Sequence, residues 1–64
     1  MKVYADDVGN SREFLTPGKR YKVKSFCFGN ANNPQILNDR GWLITLNLKS
    51  CAFIKPNKWI VEND

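Results

Sequence analysis

Trp42-Leu43-Ile44-Thr45-Leu46-Asn47-Leu48 is the stretch on which the fold turns. Trp42, Ile44, Leu46 and Leu48 alternate with Leu43, Thr45, Asn47 and Lys49, the two-residue period of a strand with one buried face. Immediately before it, Asn38-Asp39-Arg40-Gly41 reads as a hairpin turn, with glycine where a left-handed or bulged position falls. Upstream of the turn, Gln35-Ile36-Leu37 supplies the partner strand, and Gly29 to Pro34 (Gly-Asn-Ala-Asn-Asn-Pro) is a loop.

The same signals recur along the rest of the chain. Thr16-Pro17-Gly18-Lys19 fits a type II turn, in which proline presets one backbone angle and glycine accepts a positive φ. Tyr21 to Phe28 follows as a β-rich run, residues 2–8 as a first strand, and Ala52–Ile54 and Trp59–Val61 as two short strands split by a turn over Lys55-Pro56-Asn57-Lys58. Ser11 to Leu15 has room for one helical turn before Pro17-Gly18 ends it. The expectation is one mostly β domain over residues 1–64: a sandwich or small barrel of five or six short antiparallel strands with no more than one helical turn. Closure would remove exposed sheet edges.

Composition narrows function chiefly by exclusion. With 42% hydrophobic residues, 25% charged residues and eight aromatics, the chain folds rather than staying disordered. Asp6 and Asp7 interrupt the N-terminus before any signal-peptide core could form, and no run nears the ~20 apolar residues of a membrane span. A cytoplasmic chain, complete from Met1, is expected. Cys27 and Cys51 are too few for a disulfide framework and are expected to be reduced thiols.

An enzyme is not expected. At 64 residues the core is thin, so a pocket for a small-molecule substrate is hard to build. The chain has no histidine, which removes the usual general base and any Ser-His or Cys-His pair; Ser11, Ser25 and Ser50 would need a lysine base. Adjacent Asp6 and Asp7 would point to opposite faces of a strand and read as its solvated end. Two cysteines without histidine fall short of a structural zinc set, and Gly18-Lys19 lacks the second glycine and Ser/Thr of a phosphate loop. No metal or cofactor is expected.

Charge is the informative feature. Ten basic against six acidic residues leave +4, and four of the cations fall within Lys19-Arg20-Tyr21-Lys22-Val23-Lys24. On a regular strand Arg20, Lys22 and Lys24 share a face opposite Tyr21 and Val23. If alternation persists, Phe26 and Phe28 join the cations as stacking surfaces for single-stranded nucleic acid. A bulge near Ser25 would turn both rings inward and leave the cations as a solvated face, the simpler expectation. Lys49, Lys55 and Lys58 add charge near the last turns. Trp42 heads an apolar face and so is first expected in the core; its place beside a turn also suits a contact residue, and Trp59 reads equally well both ways.

Leu15-Thr16-Pro17-Gly18-Lys19-Arg20-Tyr21-Lys22-Val23, followed by Ile36-Leu37-Asn38-Asp39-Arg40-Gly41, resembles small SH3-like barrel proteins of phage and bacteria. Their outline is Leu-Thr-x-Gly-Lys-x-Tyr-x-Val, then an apolar pair, Asn-Asp-x-Gly and a closing aromatic. The likeness covers about half the chain and departs from the outline in the Asn-rich loop and beyond Phe53. It implies an accessory protein working by surface recognition, in the host cytoplasm if phage-encoded. A host protein is the first partner expected and nucleic acid, through Arg20, Lys22 and Lys24, the second.

Overall fold

The computed structural model describes residues 1–49, 54 and 58–63. It is mostly β, and the described residues include six short strands: β1 (Lys2–Tyr4), β2 (Tyr21–Lys22), β3 (Ser25–Phe26), β4 (Pro34–Leu37), β5 (Leu43–Thr45) and β6 (Ile60–Glu62). They pair antiparallel as two three-stranded sheets, β2-β1-β6 and β3-β4-β5. The five or six short antiparallel strands expected from the turn spacing are present.

Residues 21–26 link the two sheets. Val23 N still donates to Met1 O at 3.1 Å, whereas Lys24 N donates to Gln35 O at 2.8 Å, so the chain exchanges one sheet for the other between these residues. The exchange breaks the side-chain alternation: Lys24 and Ser25 are both exposed, and Phe26 is half-buried. The strand expected to reach Phe28 therefore stops at Phe26. Beyond it, Cys27–Gly29 forms a 3-10 turn, because the chain must reverse to lay Pro34 opposite Phe26.

Turn chemistry accounts for the other connections. Gly18 sits at φ +77°, with Lys19 N bonded to Thr16 O at 3.2 Å, and Gly41 sits at φ +82°, with its N–H bonded to Asn38 O at 2.9 Å. Both positive angles suit glycine because any Cβ would crowd the backbone. Ser11 O accepts from Phe14 N and Leu15 N, the single turn expected there. The first strand is shorter than the 2–8 expected. Asp7 Oδ1 accepts from Gly9 N at 2.8 Å and turns the chain, while Asp6 and Asp7 stay exposed.

The core lies where the two sheets and their connections meet: Val3, Ala5, Val8, Leu15, Tyr21, Ile36, Leu46, Ile54 and Trp59. Leu46 is fully buried, with Ile44 and Leu48 packed beside the core, as alternation from Ile44 to Leu48 requires. The hydrogen bonds Leu46 N to Pro34 O and Leu48 N to Asn32 O carry the pairing past β5. The expected strand at 52–54 falls outside the described residues except for Ile54, which lies in a 3-10 turn. The turn expected at 55–58 is likewise outside them, apart from exposed Lys58. The last strand begins one residue later than expected, and Cys27 is a free, half-buried thiol. Cys51 lies outside the described residues.

Leu46→Ala should cost ~2–5 kcal/mol, the usual range for emptying a buried leucine site. A 64-residue domain has roughly 3–10 kcal/mol in total. Urea unfolding should therefore show a large fall in midpoint for Leu46→Ala and no folded baseline for Leu46→Lys.

Candidate functional site

Trp42 is 57% exposed rather than buried, which corrects the first expectation for it. It directly follows the left-handed Gly41, at the sheet's end, and its ring leans on Phe14 with centroids 5.8 Å apart. Together with Ser11, Leu15, Asn38 and Ile44, the two rings line an open apolar groove of about 260 Å³. That is below the ~300–1,000 Å³ typical of small-molecule sites but large enough for one apolar side chain. The Arg40 guanidinium lies over the Phe14 ring at 5.2 Å and supplies a cation at the groove's margin. On the outward side of the same hairpin, Leu37 and Leu43 are register partners and both exposed.

The groove walls are held by a hydrogen-bonded lock on Asp39. Its Oδ2 accepts from Thr16 Oγ1 at 2.7 Å, and its Oδ1 accepts from Tyr21 Oη and Lys19 Nζ, both at 2.9 Å. Tyr21 Oη also accepts from Thr16 N at 2.7 Å, and Asp39 N donates to Phe14 O at 2.8 Å. Asn38 Oδ1 accepts from the N–H groups of Arg40 and Trp42, fixing the hairpin tip. The Thr16 hydroxyl, followed by Lys19 and Tyr21, holds the Asp39 carboxyl below its ordinary 3.8. The Asp39 hydrogen bond raises Lys19, and burial is the main cause of the raised Tyr21 value.

The basic stripe is less available than its count suggests. Arg20, Lys22 and Lys24 are all exposed. Arg20, however, stacks over Tyr4 at 3.7 Å, pairs with Glu62 at 3.3 Å and donates to Gly18 O at 2.7 Å. Lys22 lies opposite Lys2 across the β1–β2 ladder. Neither Lys22 nor Lys24 forms a side-chain ion pair among the described residues. Phe26 is half-buried on β3, and Phe28 is fully exposed in the turn that follows it. Lys49 and Lys58 are exposed, and Lys55 is outside the described residues.

Trp59 is a core residue and not a contact. It is 5% exposed and meets Tyr21 edge-on at 6.1 Å. Phe14, Arg40, Leu37 and Leu43 were not anticipated as site residues. A signal existed for Leu43, an apolar residue at an outward position of an alternating strand, where a polar one is usual. Phe14 carries no comparable signal, because its place beside Trp42 is set by tertiary contacts.

A depressed carboxyl stabilises the fold above its ordinary value and loses that contribution as pH falls through the folded-state value. The Asp39 contribution is thus complete above about pH 4 and fades below it. Asp39→Asn should cost ~1–3 kcal/mol near neutrality, the range for losing charge-assisted hydrogen bonds. Urea midpoints measured from pH 7 downward should then fall less steeply in the variant than in the parent.

Comparison with known proteins finds no matching family model, no matching curated protein and no matching solved structure.

Proposed function

We propose that this chain is a non-catalytic protein-interaction module that seats an apolar side chain of another protein in the Trp42–Phe14 groove. The exposed Trp42 ring carries the reading. A tryptophan beside an apolar concavity matches the aromatic anchors that dominate binding energy at protein interfaces. The likeness of the Leu15–Val23 and Ile36–Gly41 motifs to SH3-like barrel proteins supports a phage-type accessory protein that modulates a host factor in the bacterial cytoplasm. A nucleic-acid reading draws on exposed Lys22 and Lys24. Against it, Arg20 is occupied by Glu62 and Tyr4, and Phe28 sits in a turn beyond the strand that carries the cations.

The two readings separate in one experiment. Partner capture from nuclease-treated bacterial lysate should persist, and the purified partner should bind Trp42→Ala at least ~10-fold more weakly, the scale of an interface anchor. Changing Arg20, Lys22 and Lys24 together to glutamine should leave that affinity nearly unchanged. Loss of capture on nuclease treatment, or a log–log salt slope that falls by ~0.7–0.9 per lysine removed, would decide for nucleic acid.

A further inference from the structure

Phe28 is the most exposed large apolar side chain among the described residues, and its backbone is the sole non-glycine there with a positive φ. At φ 52°, ψ 28° it occupies the left-handed region, where a Cβ crowds the carbonyl oxygen and aromatic residues are rare. Gly29 follows at φ 69°, so the turn asks for glycine or asparagine at both positions. The side chain gives nothing in return, since it is absent from the core and its packing shell.

The turn also holds the ring outward. Cys27 N donates to Asn33 O at 2.8 Å, Asn30 N to Cys27 O at 3.0 Å, and Asn33 N to Asn30 O at 2.9 Å. Asn32 N adds a bond to the Asn30 side chain at 2.9 Å. An unfavourable backbone and an unburied aromatic thus coincide at one residue, a combination expected where contact with a partner offsets both.

The chemistry around the ring indicates the partner's class. Ser25 to Asn38 is a run of fourteen residues without a charge, bounded by Lys24 and Asp39. A surface for phosphate would carry cations beside its aromatic. An aromatic centre within an uncharged amide rim is instead the composition of a protein interface, from whose core charges are depleted.

We infer that Phe28 is an anchor that inserts into an apolar pocket of a partner protein, with the Asn-rich turn as its rim. The inference does not rest on the groove, because Phe28 is not among the groove's lining residues.

Two measurements on the full chain test it. Phe28→Asn keeps a residue tolerant of the left-handed region and removes the ring, so its melting temperature should equal or exceed that of the parent. A fall of more than roughly 7 °C, about 1 kcal/mol for a domain of this size, would show a structural role and overturn the anchor. For contact, p-benzoylphenylalanine placed at position 28 in bacterial cells should cross-link to one polypeptide that the same probe at exposed Asn10 does not capture. That polypeptide, purified and titrated, should bind Phe28→Asn at least ~10-fold more weakly and Phe28→Tyr nearly as well as the parent. Adducts to nucleic acid, adducts to a second copy of this chain, no adduct beyond those at Asn10, or equal affinity for Phe28→Asn would each overturn it.

Discussion

The Asp39 carboxylate is the constraint on which the rest of this small structure depends. It fastens the 16–21 turn through Thr16, Lys19 and Tyr21, and its own N–H fastens the 11–15 turn through Phe14 O. Two consecutive turns are thus tied to one residue far downstream, at the tip of the β4–β5 hairpin. The groove walls Phe14, Leu15, Asn38 and Trp42 belong to these connections or lie beside them. The apolar groove is therefore a by-product of how the loops are tied, rather than a cleft carved into the thin core.

The contributions within the lock are unequal. Lys19 is half exposed, and an ion pair reaching into water contributes little. The Tyr21 hydroxyl is at the end of a buried ring, where an unpaired donor is costly, so its bond to Asp39 matters more. The Thr16 amide and hydroxyl complete the arrangement by serving Tyr21 and Asp39 together. Such a closed set of short-range bonds gives a sequence of this length a defined geometry that its few core side chains could not enforce alone.

Local rules made much of the fold legible. Pro17-Gly18 and Asp39-Arg40-Gly41 mark turns because only glycine takes the positive φ found at 18 and 41 without strain. The two-residue period from Ile44 to Leu48 correctly placed Leu46 in the core. What could not be read was non-local. The exchange of sheets between Val23 and Lys24 depends on which strand offers the next carbonyl, so the face of Phe26 and the end of the strand were not determined by alternation. Trp42 was first assigned to the core by a period that ends one residue sooner, at the hairpin's tip. Arg20 was counted with the free cations because Glu62, forty-two positions away, gives no local signal of pairing.

The pairing of β1 with β6 carries a kinetic consequence. Lys2 lies opposite Glu62, so nearly the whole chain must be gathered into a loop before that ladder forms. Loop-closure entropy is smallest for the β4–β5 hairpin, which needs only the Asn38–Gly41 turn. The physics of contact order thus makes the hairpin the natural nucleus and the β6 strand a late addition. Until β6 docks, Trp59 cannot cover Tyr21, and the aromatic side of the core stands open to water. Docking of β6 is thereby the step that closes the core, hiding both rings in the native state.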